Sequence, residues 1–225
     1  MIIGENIFEA SPNNKLVLIS LLMLVAIKPA MDLVISHLGL GHNNYIDLVE
    51  QVALIIILCA SAITIGKIRL YQIGIDAWKK WNPTNKNIFF IVTPIILIVF
   101  ILIFMARVKI FLNHSELYGI GSVILLREFL YGCYQELLYR GILQTELIKR
   151  WGFWVGTIIS NLVFTFGPEH FHFYKSTHMG FVFMFGLGLL FSFIFYRSRN
   201  LVSVGIWHGI GNVFIDGLGI LVSMA

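Results

Sequence analysis

Charge is scarce in this chain. Asp, Glu, Lys and Arg make up 12% of its 225 residues, while 58% are hydrophobic, and the mean hydropathy is +0.84. Water-soluble domains carry about 25% charged residues, so a soluble globular class is excluded and the chain reads as an integral membrane protein. Cysteine is nearly absent as well. Cys59 and Cys133 both stand in apolar runs, which fits packing and excludes a disulfide framework or a cysteine metal cluster. No basic residue precedes Lys15, whereas Glu5 and Glu9 are present. The positive region of a cleavable signal peptide is therefore lacking, and the first hydrophobic segment is expected to remain as a helix. Fixed-period repeats, low-complexity tracts and Gly/Ser linkers are missing too, which predicts a single transmembrane domain over residues 1–225. The formal charge of +4 does not point to nucleic acid, because the basic residues cluster beside hydrophobic segments, where membrane topology accounts for them.

What is present is a series of long apolar windows. A hydrocarbon core of ~30 Å takes about 20 such residues per helix. The windows predict an all-α, polytopic membrane fold of about seven to eight transmembrane helices enclosing a polar intramembrane site. The spans are expected near Leu16 to Leu38, Tyr45 to Ile65, Ile88 to Val108, Tyr118 to Ile148, Trp154 to Phe166, Met179 to Tyr196 and Val202 to Ser223. Lys67, Arg69, Lys79, Lys80 and Lys86 share one loop, and Lys149/Arg150 and Arg197/Arg199 fall on the same side if the spans alternate, which favours that side as cytoplasmic. Arg107, Lys109 and Lys175 fall opposite. The segment "WKKWNP" suits a membrane interface. Gly180, Gly186 and Gly188 suit close helix packing more than function.

Against this background the polar residues stand out, since an ionisable group in hydrocarbon costs ~2.5–3.5 kcal/mol on insertion scales. In "YQELLYRG", Glu136 and Arg140 are four apart and share a helix face, while Gln135 points about 100° away around the axis. A pair that merely neutralises itself and staples helices is the plainer account of Glu136 and Arg140. In "FTFGPEHFHF", Phe166 and His170 are four apart and Pro168 bends or ends the helix; His172 and His178 stand close by, where an interfacial histidine is ordinary. In "VGIWHGIGN", His208 and Asn212 share one face early in the last span, with Gly209 and Gly211 leaving room. Any one of these is unremarkable. Together they carry the same desolvation cost, and converging them is the simplest way to offset it. Two imidazoles and a carboxylate in one pocket can hold a divalent metal or position a water, and Asn212 can donate to an oxyanion.

"QELLYR", "FGPEH" and "HGIGN" resemble, in order and spacing, the motifs EExxxR, FxxxH and HxxxN of the CAAX protease and bacteriocin-processing family of intramembrane proteases. The resemblance covers roughly residues 118–214, the expected catalytic core. It implies a multi-pass protein of the bacterial plasma membrane, in contact with lipid, that cleaves a peptide or a prenylated precursor. It places the family's first glutamate on Gln135, its second on Glu136 and its arginine on Arg140, with Arg140 as the structural partner of Glu136. The paired histidines fall on His170 and His208, and the asparagine on Asn212. A glutamate at position 135 would deprotonate a water held by His170, and His208 with Asn212 would stabilise the oxyanion. Zinc on His170 and His208, or a metal-free glutamate mechanism, both remain open.

Gln135 is the departure, because an amide cannot accept the proton of water. Three explanations follow in order: an introduced Glu-to-Gln change that impairs turnover, a natural inactive relative, or transfer of the base role to Glu136. The alternative function is a non-catalytic immunity or scaffolding protein of the same fold. A coupled transporter is disfavoured by the lack of an inverted repeat and of paired broken helices. One tension remains: at ~1.5 Å per residue, His170 lies much deeper than His208 on straight spans.

Overall fold

The computed structural model describes residues 8, 10–40, 43–170 and 178–225. Glu5, Glu9, His172, Lys175 and the side chain of His178, named above, lie outside them. The described residues form helices and connecting turns, with no strand among them. Helix α1 is Asn14–His37 and α2 is Asn44–Thr64. Two short 3₁₀ turns, Leu70–Ile73 and Trp78–Lys80, lead to α3, Pro83–Ile103. Helix α4, Met105–Asn113, precedes α5, Tyr118–Glu136, which continues through a π-helical run, Leu137–Gln144, into α6, Thr145–Phe166. Helix α7 is His178–Ser198 and α8 is Leu201–Met224.

Five of these, α1, α2, α3, α8 and the stretch Gly180–Ser198 of α7, are long and apolar enough to cross a membrane, and the chain is an all-α, multi-pass membrane protein. The expected fourth and fifth spans exist as helix, but α5 carries Arg127, Glu128 and Glu136 and α6 carries Glu146, Lys149 and Arg150, and neither meets that criterion of apolarity. Their expected separation falls at Gly152, whose φ of 77° breaks α6. The third span begins earlier than its apolar window. Asn82 caps α3 by accepting from the backbone N–H of Asn85 at 2.7 Å, and Pro83 fills the first helical position, where a missing N–H costs nothing. It also ends earlier, at Phe104, so Arg107 rides on the separate α4. There it donates to the carbonyls of Ile215 at 2.6 Å and Phe214 at 3.5 Å, inside a π-helical turn of α8, Val213–Gly217. This cation serves backbone acceptors that the widened turn releases from α-helical bonding.

Helix α5 is central, packed most extensively against α8 and also against α2. Its approach to α8 depends on glycine: a Cβ on Gly132 would lie 2.7 Å from the backbone nitrogen of Gly209. Of the glycines expected to permit packing on α7, Gly188 does so, backing onto Arg140 and Asn161, whereas Gly186 faces open space. Hydrogen bonds gather one end of the bundle. Asn13 Nδ2 donates to Gly66 O, Arg150 to Asn14, Asn85 Nδ2 to Ser198 O, and Leu201 N to Gly74 O. The loop cations and the pairs Lys149/Arg150 and Arg197/Arg199 are thus near one another, as the alternation of spans requires.

Candidate functional site

Every residue from 134 to 148 is buried, so the polar side chains of this run must find partners inside the protein. Glu136 and Arg140, one helical turn apart, form an ion pair of 3.2 Å between Oε1 and Nη1. Arg140 also donates from Nη2 to Gly188 O at 3.2 Å, and its guanidinium lies 4.1 Å from the centre of the Phe164 ring. Thr145 Oγ1 donates to the carbonyl of Arg140 at 3.0 Å, taking up an acceptor within the π-helical run. The same Glu136 Oε1 accepts from His208 Nδ1 at 2.7 Å. A carboxylate links the first motif to the third, and the third reaches it because α5 and α8 touch backbone to backbone at Gly132 and Gly209.

His170 reaches the same neighbourhood by folding back. Helix α6 ends at Gly167, and a 3₁₀ turn over 168–170 returns the imidazole toward the helix. His170 Nδ1 lies 2.6 Å from the carbonyl oxygen of Phe164. A carbonyl only accepts, so Nδ1 carries the proton and, in the neutral ring, Nε2 keeps a lone pair. That lone pair meets Gln135 Nε2 at 3.2 Å. The Phe164 ring stands 4.8 Å from the His170 ring and 5.9 Å from the His208 ring. The depth difference counted on straight spans is thus absorbed by the turn after α6. The aromatic at the heart of the site is Phe164, whereas Phe166, read from the motif, is 42% exposed and stacks on Phe181.

Gln135, His170, His208 and Asn212 all line one cavity of about 1100 Å³. Glu136 and Arg140 stand behind its wall. Two further polar groups escaped the sequence-based expectation. Glu169, inside the quoted "FGPEH", also lines the cavity; its Oε2 accepts from Tyr139 Oη at 3.1 Å and lies 3.5 Å from Gln135 Nε2. Its only signal was a carboxylate next to a motif histidine. The second group is Arg127, bonded to Asn44 and Asp47 of α2 and to Glu128, together with Lys28, which pairs with Asp32 at 3.5 Å and Glu50 at 3.6 Å. Asp47, Glu50 and Glu128 line the cavity too, beside apolar residues such as Phe100, Leu187 and Phe191. Among the described residues no three of His, Cys, Asp or Glu stand so that they could share a metal ion. Among the described residues the donor set expected for zinc, two imidazoles and a carboxylate, is not gathered around one point.

Comparison with known proteins gives one finding. No curated protein and no solved structure matches the chain. Residues 119–214, which carry α5 through most of α8 and every motif residue, match the family model described as type II CAAX prenyl endopeptidase Rce1-like, a match consistent with the resemblance of the three motifs to the CAAX protease and bacteriocin-processing family.

Proposed function

We propose that the chain is an intramembrane endopeptidase of the bacterial plasma membrane that hydrolyses a peptide bond in a peptide or prenylated precursor. The observation that carries this reading is the presence of Gln135, His170, His208 and Asn212, from three separate segments, on the wall of one cavity. A water that takes the place of the Gln135 amide at the lone pair of His170 Nε2 is held for attack on the scissile carbonyl. Asn212 donates to the oxyanion from its amide, a contribution typically worth ~2.7–4 kcal/mol. His208 adds a second donor at Nε2 when both of its nitrogens carry protons, with Nδ1–H bonded to Glu136. Arg140 acts at one remove, by holding the Glu136 carboxylate that orients His208. A zinc ion on His170 and His208 would need a third donor from outside the described cluster.

The test is cleavage, in detergent or vesicles, of an internally quenched peptide ending in an S-farnesylated cysteine and three further residues, by the native chain and by Gln135→Glu. At least one form should cleave it. In that form His170→Ala or His208→Ala should abolish cleavage, and Asn212→Ala should reduce it about 10²–10³-fold. Gln135 favours a second reading, a non-catalytic immunity or scaffolding protein. Silence of both forms would support it, provided the native chain still protects cells in which it is expressed.

A further inference from the structure

An amide at position 135 cannot take the proton of water, yet the reaction needs a group that can. Three carboxylates near the site are already committed. Glu136 Oε1 holds His208 and Arg140, and Glu136 does not form part of the cavity wall. Glu128 accepts from Arg127 at 3.0 Å, and Glu50 pairs with Lys28 at 3.6 Å. Glu169 is placed differently. It is 8% exposed, follows the α6 terminus on the same turn as His170, and stands in the cavity wall. Its Oε2 faces the Tyr139 hydroxyl and the Gln135 amide, while its Oε1 is buried with no hydrogen-bond partner. Glu136 Oε2 and Glu50 Oε1 are also buried without a hydrogen bond, but Glu136 lies behind the cavity wall and Glu50 Oε1 faces the Lys28 ammonium. A buried carboxylate oxygen left without a donor is costly, and it is what a base awaiting a water looks like.

The chemistry of Gln135 agrees. Its Nε2 lies between two acceptors, the His170 lone pair at 3.2 Å and Glu169 Oε2 at 3.5 Å. An NH₂ group has two protons to give, one for each. A carboxylate at 135 would instead bring a second negative group against Glu169 and against the imidazole lone pair, so one of the two acids would have to keep a proton. Amide and carboxylate are complementary here: the amide stands where the motif has its first glutamate, and the carboxylate stands beside His170 on the turn after α6.

We propose that Glu169 is the general base of this endopeptidase, supplying from the second motif the carboxylate that Gln135 cannot; the proposal rests on the endopeptidase reading above. A water that enters against His170 Nε2 in place of the Gln135 amide, and against Glu169 Oε1, gives one proton to Glu169. Its oxygen forms a bond to the scissile carbonyl carbon as the C=O electron pair moves onto the carbonyl oxygen. Collapse of that oxyanion re-forms C=O and breaks the C–N bond, and Glu169 returns the proton to the departing nitrogen. The products are a carboxylic acid and an amine, and Glu169 ends ionised as it began.

Four forms of the full chain test this on the farnesylated quenched peptide: native, Glu169→Gln, Gln135→Glu, and Gln135→Glu/Glu169→Gln. Thermal unfolding of each in detergent checks that it is folded. The native chain should cleave, Glu169→Gln should lose about 10²–10⁴-fold in rate, and the double variant, which places the carboxylate at position 135 and the amide at 169, should recover most of that loss. Cleavage by Glu169→Gln at the native rate overturns the proposal. A double variant that is folded but as slow as Glu169→Gln also overturns it, assigning Glu169 to holding Tyr139. If the native chain is silent while Gln135→Glu cleaves, the base belongs at 135, and the endopeptidase reading stands without this inference. If all four are silent, the endopeptidase reading falls and the inference with it.

Discussion

Helix α3 and the run 134–148 are opposites in both composition and burial. Helix α3 is the most apolar of the candidate spans, and none of its apolar window is buried in the protein. The run 134–148 contains Gln135, Glu136, Arg140, Gln144, Thr145 and Glu146, and every one of its residues is buried. In water the hydrophobic effect would arrange these the other way round. In lipid, apolar surface loses nothing by facing the solvent, so burial is decided by which side chains need partners. The interior of this molecule is therefore specified by its polar groups. Ion pairs and hydrogen bonds tie the motif helices to one another, while α3 is held by few contacts, such as Trp207 Nε1 donating to Thr93 at 2.9 Å.

The sharpest way to break this contrast is Arg140→Met, which leaves the Glu136 carboxylate in the interior without its cation. Removing one partner of a buried pair costs about 3–5 kcal/mol, and the thermal midpoint in detergent should fall accordingly; a midpoint unchanged from native would show that the pair does not specify the core. A smaller effect is expected from Gly209→Val. Its side chain would enter the space held by Phe129, whose ring and carbonyl oxygen both stand 2.7 Å from an added Cβ. Overpacking of this kind costs about 1–3 kcal/mol, and it should also slow cleavage by parting His208 from Glu136. The smallest belongs to α3. Ile98, 57% exposed, should tolerate Ala within about 0.5 kcal/mol, and a loss comparable with that of Arg140→Met would mean that α3 packs against a partner rather than lipid.

Much of this was legible from the amino acids. The fold class follows from apolar windows, whose length the bilayer sets, and the Glu136–Arg140 pair follows from helical spacing alone. What escaped has identifiable causes. The end of the third span was misplaced because apolarity continues through Phe104, where the helix stops; hydropathy registers lipid and not backbone geometry. Phe164 was missed because helical spacing links residues three or four apart, and His170 lies beyond the helix end, on a turn that brings it back to a residue six positions earlier. Glu169 was missed because the motif's pattern names only the residues around it. The pairs of Lys28 with Glu50 and of Arg127 with Asp47 were overlooked because the partners stand in separate apolar windows, and their association is purely tertiary.

The contact between Gly132 and Gly209 carries a consequence for how such a chain can change over generations. Two hydrogen atoms, one on each helix, set the separation at which a carboxylate on one helix meets an imidazole on the other at 2.7 Å. A methyl at either place would have to be answered by movement of a whole helix, and no single further substitution could restore the fit. The lipid-facing residues of α3 have no such neighbour to satisfy, and one apolar side chain serves there as well as another. Among descendants of this sequence, drift should therefore accumulate along 83–103 while positions 132 and 209 stay glycine, the smallest side chains setting the firmest limit on inheritance.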